Sequence, residues 1–553
     1  MTRQASIRPY LNQAYLMGLL MVAVGLTLSP FLMGMSQFWL ILVWVADGIV
    51  GNRDENAIPI GSSVNRERIY FHPDFKQKLS LFWHNKAAVL LVAFYLMHIV
   101  GLLYTSDFQY AMKDLRVKLP ILVMPFVLSS MPPLDRKRFD LVLLVYALSV
   151  FVATWFSFYA YVRHDYEDVR EISRFISHIR FCLHIVFCMA VIGYSLFTRN
   201  APWWSKAIQV VLLLWLGYQL FIFESLSGYV VFAAMVAMSA LYVFLKWKKG
   251  RGLRIAVGVS ALVVLLLGMV VVMRQVKPML EIKQVDFSIL ERKTAQGNDY
   301  WHDTVYNPVE DGKFVGLYYC RKEMQAAWPQ RSQLPFGGTT TNGENLEATL
   351  ARYLTSKGLR KDAEGVMALT DADIRNIEQG VANYNNWRHP GLRSRLSTTV
   401  FEYNMYRKFN NPNGGSLSQR IEFTRAAFRI IGRHPVFGVG TGDVPQAFSE
   451  AYDEIQSPLS KEFRFRAHNQ YLSIMIAFGV VGLLVFLAVL LFPWLSSRKH
   501  RTYLYAVFLG IMLLSMLPED TLETQAGASM FAFFVSMLLF AVPIDDESKT
   551  MTI

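Results

Sequence analysis

Arg464, Arg466 and His468 occupy alternate positions directly before an apolar run that continues through Leu491. Arginine carries a planar fork of donors that matches a phosphate and stays charged. Histidine gains or loses a proton near neutral pH. At the mouth of a membrane-length helix, this trio suits an anionic group carried on a lipid, with the imidazole as proton acceptor. A plainer reading has the arginines touching lipid headgroups and the histidine capping the helix. A second basic group lies in the loop 163–180, where Arg174, His178 and Arg180 lead into another apolar run. These residues either complete an anion site with Arg464 and Arg466 or pair with Asp165, Glu167, Asp168 and Glu171, and exposed pairs of that kind contribute little.

Carboxylates come from PEDTLETQ at 518–525, which holds Glu519, Asp520 and Glu523. Beside a membrane they suit a metal or the orientation of a histidine, or they are ordinary loop charges. No His-x-x-x-His or Asp-x-Asp cluster marks a metal centre. Neither a metal nor another cofactor is expected. The glycine-rich run GVGTGD at 438–443 lacks the strand and helix that a nucleotide fingerprint requires. Pro435 precedes it and Pro445 follows, so a tight turn is expected there.

The elements that must position these residues are membrane helices. The 553 residues are 53% hydrophobic and only 18% charged, whereas soluble domains carry about 25% charged residues. Twelve spans are expected, at roughly 11–29, 31–50, 87–104, 119–134, 139–162, 181–197, 207–223, 227–245, 255–273, 469–494, 502–517 and 525–543. Arg3 and Arg8 precede the first of them with no small-x-small cleavage site in view, which predicts a retained helix. With the N-terminus inside, the inner segments hold about 22 Lys and Arg against about 7 in the short outer loops, the bias expected of cytoplasmic loops. The inner segments include 53–86, 136–138, 246–254 and 498–501. Both termini are then cytoplasmic. The net charge of +13 reflects this asymmetry, and no nucleic-acid partner is expected. Cys182 and Cys188 fall in one apolar run and Cys320 stands apart, so neither a disulfide framework nor a zinc spacing follows.

The fold class predicted is all-α and polytopic. Membrane helices at 1–273 and 469–553, the latter with a short tail, flank a mainly helical outer loop domain at 274–468. Helical patterns in that loop cover 345–357 and 370–385. Another begins at Ser416, carries Ile421, Phe428 and Ile431 as its apolar stripe, and adds Arg420, Arg425 and Arg429. It lies either at the outer membrane boundary or on its own domain.

The run AHNQYL at 467–472, followed by Gly479 and Gly482 in an apolar helix, resembles the signature of the O-antigen ligase superfamily of membrane glycosyltransferases. The segment 420–442, with HPVFGVG at 434–440, is similar to the helix and turn before the histidine in that superfamily. The resemblance implies an inverting, metal-independent transfer of a glycan from undecaprenyl diphosphate at the outer face of a Gram-negative inner membrane. The acceptor is the lipid A core for ligases, a glycan for O-antigen polymerases and a protein for O-oligosaccharyltransferases. His468 matches the histidine that activates the acceptor hydroxyl, and Arg420 matches an arginine that engages the diphosphate. Arg466, Arg464, Arg180 and Arg174 are further candidates for the diphosphate, with Asn469, Glu523, Asp520 and His178 in secondary roles. Where the superfamily often carries a Ser-basic-x-Gly pattern, this chain reads Ser225-Leu226-Ser227-Gly228. Arg180 is therefore expected to stand in for the missing basic residue at Leu226. A lipid-linked glycan transporter is the rival from another class, for which broken helices and midplane charges are expected.

Overall fold

The computed structural model describes residues 3–50, 74–163, 169–246, 250–281, 284–497 and 502–542. Of the inner basic segments, 53–73, 247–249 and 498–501 lie outside the described residues. So do Asp165, Glu167, Asp168 and the tail 543–553. The helices in the first half are α1 (Arg3–Leu28), α2 (Pro30–Val50), α3 (Phe75–His84), α4 (Lys86–Val100) and α5 (Phe108–Ser130). Next come α6 (Arg136–Arg163), α7 (His178–Thr198), α8 (Trp203–Ile222), α9 (Leu226–Lys246) and α10 (Arg251–Leu280). The loop region holds α11 (Arg321–Ala327), α12 (Leu346–Lys357), α13 (Ala363–Met367), α14 (Asp371–Glu378), α15 (Tyr384–Arg388) and α16 (Leu392–Phe409). It continues with α17 (Ser416–Arg433) and α18 (Val444–Glu454) before α19 (Gln470–Ser496), α20 (Tyr503–Ser515) and α21 (Gln525–Phe540).

The protein is an all-α membrane protein. Eight of these helices are long and apolar enough to cross a membrane, and α20 and α21 are shorter apolar helices. The expected span 119–134 falls on α5, which starts earlier, carries Pro120 and Pro125 and stops at Ser130.

The chain divides into two compact units. The first comprises Met1–Val263, Phe423–Ser457 and Arg464–Ile553. In it α1 packs on α2 and α6, α5 packs on α4 and α21, and α19 packs on α4. Asp47 near the end of α2 meets Lys78 at 2.8 Å with both side chains fully buried.

The tight turn expected at 438–443 is a run of bends that follows a turn at 435–437, and the stretch 435–440 fills a break in α19. Gly479 lies inside that helix with φ 64 and ψ −160, a region open only to glycine. The break frees backbone groups in an apolar setting, where an unsatisfied one costs several kcal/mol. The turn supplies partners for four of them. Val439 N donates to Ile476 O and Gly440 N to Ala477 O, both at 2.9 Å, while Val480 N and Val481 N donate to Pro435 O and Val436 O at 2.9 and 3.3 Å. A Cβ at Gly438 would lie 2.4 Å from the Ala477 backbone, so the approach requires glycine. Asp443 then fastens the turn to the 105–107 loop, accepting from Ser106 N at 2.9 Å and Asp107 N at 2.8 Å. These bonds draw the Asp443 carboxyl below its ordinary range, although burial opposes the shift.

In the part of α17 that belongs to the first unit, Phe423, Ala426, Ala427 and Ile430 are buried while Phe428 is 61% exposed. Of the expected stripe Ile421, Phe428 and Ile431, Ile431 is buried, Ile421 is half-buried and Phe428 is exposed, so the buried face is turned away from Phe428. Arg429 meets Glu454 of α18 at 2.9 Å, and Arg433 reaches the same carboxylate.

The second unit, Val264–Glu422 with Pro458–Phe463, has a core of its own around Trp328, Leu350, Tyr353, Leu354 and Ile377. Asn345 caps α12, and Gly358 ends it in the left-handed region. The expected helix at 370–385 is two helices. Thr370 and Asp373 form a capping box on α14, Gly380 turns the chain at φ 87, and α15 follows. A two-stranded hairpin, β1 (Val309–Glu310) with β2 (Lys313–Phe314), completes the unit.

The turn-in-break arrangement makes Gly479 critical. Gly479→Ala places a Cβ 2.1 Å from the Val436 backbone at a φ reserved for glycine, which costs at least about 1–3 kcal/mol. Thermal unfolding of the detergent-purified protein is expected to move down by several degrees. Gly193→Ala, where nothing lies within 4 Å of the new Cβ, is expected to leave it unchanged.

Candidate active site

His468 closes the polar lead-in to α19 with φ 46. A left-handed histidine is uncommon and marks a constrained position. The cap of α19 is Asn469, whose side chain accepts from Leu472 N at 3.0 Å. The capping role that the plainer reading gave to His468 thus belongs to its neighbour. Phe423 and Phe465 border the imidazole, with centroids at 5.6 and 6.4 Å. His468 Nδ1 faces Asp520 Oδ1 at 3.5 Å, and its side chain remains about one-third exposed. Nδ1 is buried without a hydrogen bond. A carboxylate on this side of the ring favours a proton on Nδ1 and leaves Nε2 as the basic nitrogen.

Asp520 is 5% exposed and stands among cations. Arg466 Nε lies 3.1 Å from Asp520 Oδ2, and Arg180 Nη2 lies 3.9 Å from Oδ1. Arg466 Nη1 also reaches Glu523 Oε2 at 3.0 Å and Tyr110 Oη at 3.2 Å. Glu523 accepts from Lys118 Nζ at 2.8 Å and from Gln470 Nε2 at 3.0 Å. Gln470 in turn accepts from Leu522 N at 2.7 Å. Burial disfavours the charged form of Glu523, but Lys118 and Arg466 outweigh it and hold the carboxyl well below its usual range. Burial likewise opposes the charge on Arg466, and Glu523 and Asp520 more than offset that. Lys118 also pairs with Asp114 one turn back. A cavity of about 20 Å³ lies among Tyr110, Asp114, Lys118, Arg466, Glu523 and His98, enough for one water.

The candidates read from the sequence divide accordingly. His468, Arg466, Arg180, Asp520 and Glu523 come together, and Asn469 serves as the cap. Arg180 is anchored on Ser177 Oγ at 2.9 Å, and its Nε is buried with no hydrogen-bond partner. Arg464 turns aside to Asp453 at 2.6 Å and lies over the Tyr452 ring. Arg174 is exposed, and His178 begins α7. Arg420 lies on the first turns of α17, in the second unit. Leu226 is the first residue of α9.

One feature escaped the sequence: Lys118, Asp114, Tyr110 and Gln470 were not candidates, although Asp114 and Lys118 at i and i+4 beside an apolar run signal an internal pair. A ligand atom from each of His468, Glu519 and Asp520 falls within one 4.8 Å group. Arg466 and Arg180 already neutralise Asp520, so a metal ion there would be opposed by two guanidinium groups.

Residues 394–487 match the family model described as O-antigen ligase. The matched segment runs from α16 into α19 and contains Arg420, Arg464, Arg466, His468 and Asn469, together with the turn that fills the helix break. No curated protein matches the chain.

Glu523 carries the polar network, and truncating one member of a buried pair costs about 3–5 kcal/mol because the other charge is left unpaired. Glu523→Gln is expected to lower the unfolding temperature markedly. Thr370→Ala, which removes only a cap in the second unit and costs about 1 kcal/mol, is expected to have the smaller effect. Thermal melts of the two purified variants check the order.

Proposed function

We propose, from the match of residues 394–487 to the O-antigen ligase family model in a membrane protein, that the chain transfers a glycan from undecaprenyl diphosphate to an acceptor hydroxyl. The acceptor proposed is the lipid A core, in lipopolysaccharide assembly. The observation that carries this reading is the pairing of His468 with Asp520 at the head of an apolar helix, with arginines beside it. Nε2 of His468 takes the proton of the acceptor hydroxyl as its oxygen attacks the anomeric carbon. The bond from that carbon to the diphosphate oxygen breaks on the opposite face, which inverts the centre. Asp520 stabilises the imidazolium that results, and the proton then passes to water. A positioned base of this kind contributes about 10²–10⁴-fold.

The leaving diphosphate is a good one and needs no strong acid, but its charge needs donors. Arg420, Arg466 and Arg180 are proposed for that task, with Arg464 and Arg174 as outer members. Arg180 stands in for the basic residue missing at Leu226, and its unpartnered Nε supports that role. The site is proposed to work without a metal, because the guanidinium groups supply the positive charge. The loop at 274–468 is proposed to be periplasmic and both termini cytoplasmic, in the inner membrane of a Gram-negative cell. Nucleotide sugars are absent on that side, which is why a preactivated lipid-linked donor suits the reaction.

An O-antigen polymerase or a protein O-oligosaccharyltransferase would share the histidine and differ in acceptor. A lipid-linked glycan transporter would use a helix break such as the one at Gly479 as its gate. The backbone bonds from 435–440 fill that break, and Lys78 neutralises the buried Asp47. Both observations favour the transferase.

Proteoliposomes given undecaprenyl-diphosphate glycan and, separately, lipid A core, free glycan or protein decide among these readings. A glycosylated lipid A core is expected. Product only with glycan or protein would select the corresponding alternative, and movement of the donor without covalent product would select the transporter. In the same assay Arg180→Ala is expected to raise the donor concentration needed for half-maximal rate, with Arg180→Lys intermediate. An unchanged curve removes Arg180 from the clamp.

A further inference from the structure

The second unit carries a cleft of about 650 Å³ lined by Trp301, Tyr319, Asn298, Asp299, Arg321 and Glu347. That size falls in the range of small-molecule sites, about 300–1,000 Å³. We propose that this cleft binds the pyranose rings of an uncharged glycan, with the exposed Trp301 face as the stacking platform and the Arg321–Glu347 pair reading hydroxyl groups. The proposal rests on the glycan-handling role argued above and gives the central part of the outer loop a function.

Three observations carry it. The first is the tryptophan. Trp301 is 59% exposed, yet its backbone is fixed. Trp301 N donates to Tyr319 O at 2.8 Å, and Tyr319 N returns a bond to Trp301 O at 3.0 Å. Tyr319 stands edge-on to it, with ring centroids 5.9 Å apart and planes at 89°. A large aromatic held rigidly in water is costly to leave bare and loses little entropy when covered. A pyranose ring has one face of C–H groups, which is the natural cover for the negative face of an indole.

The second is the polar rim. Glu347 is clamped by Arg321 through two bonds of 2.9 Å and by Tyr319 Oη at 2.7 Å. Lys322 Nζ donates to Asn298 Oδ1 at 3.1 Å, while Asn298 Nδ2 donates to Glu323 at 2.8 Å. Planar donors and acceptors are thus locked in place before any ligand arrives, as a site for vicinal hydroxyl groups requires. Arg321 remains 62% exposed at its side chain, so its outer N–H groups face solvent.

The third is charge. Arg321 and Lys322 balance Asp299 and Glu347, so the cleft has no net charge to attract a phosphate or a polyanion. That balance separates it in chemistry from the arginine-lined site around Asp520, and points to the uncharged sugars of a glycan rather than to the diphosphate end of a carrier.

The test is saturation-transfer NMR on the full-length protein in nanodiscs, with maltotetraose, cellotetraose, chitotetraose and mannotetraose as probes and tetragalacturonate as the acidic comparator. At least one neutral tetrasaccharide is expected to bind. Trp301→Ala is expected to weaken it about 5-fold or more and Trp301→Phe less, in line with the worth of an aromatic contact. Arg321→Ala should also weaken it, and as an exposed side chain it leaves the fold intact. His468→Ala should bind like the unsubstituted protein, which separates this cleft from the transfer reaction. If transfer fails and binding holds, the proposed function falls and the cleft stands. No binding by any neutral tetrasaccharide overturns the proposal. Undiminished binding by Trp301→Ala, or tighter binding of tetragalacturonate than of every neutral probe, overturns it as well.

Discussion

Glu523 sits in the turn between α20 and α21 with its side chain 8% exposed. Lys118 of α5, Arg466 from the segment before α19 and Gln470 at the start of α19 converge on its two oxygens. A carboxylate in such a place has to be paired, and so do the cations that pair with it. This mutual requirement fixes the relative position of three chain segments that are remote in sequence. Arg466 then has two of its nitrogens committed, which sets where its guanidinium lies beside Asp520. Asp520 in turn stands 3.5 Å from His468 Nδ1. The imidazole is therefore positioned at the end of a chain of charge pairs.

The backbone obeys a parallel constraint. A break in a long apolar helix is tolerated only where the freed groups find partners. The glycine-rich stretch at 435–440 supplies them, and Asp443 and Thr441 tie it to the end of α4 and the segment after it through His98 O, Thr105 and Ser106. Glycine is needed on both sides of the contact, at Gly438 and at Gly479, because the two backbones touch. The run that looks like a nucleotide loop is thus a splint for the helix that carries His468. Backbone bonds hold the turn to α19, and the Asp443 and Thr441 side chains hold it to the end of α4 and the loop that follows.

Much of this was legible beforehand. Long apolar runs announce membrane helices whatever their neighbours do, and the basic lead-in to α19 could be read residue by residue. Pro435 and Pro445 around the glycines ruled against a strand–turn–helix unit. The charge network was not legible, because Lys118 and Glu523 are 405 residues apart and pairing at that distance leaves no periodic trace. The sequence offered Glu519, Asp520 and Glu523 as partners for a histidine, but not which of them meets His468. On α17 the expected stripe holds at Ile431 and fails at Phe428. Apolar residues stand on both sides of this helix, and only packing decides which of them face inward. On 370–385 the helical pattern was right, but Gly380 takes a positive φ and divides it.

The central claim is that His468 acts as the base of a glycosyl transfer. The most direct measurement is the rate of glycan transfer by His468→Ala in proteoliposomes, at matched protein and with the melting temperature of each preparation recorded. The account predicts a loss of at least about 10²-fold with the melting temperature retained, because Asn469 and not His468 caps α19 and Asp520 keeps Arg466 as its partner when the imidazole at the end of the chain is removed. Transfer at the unsubstituted rate by the folded variant would contradict it and leave His468 a structural residue at the membrane edge.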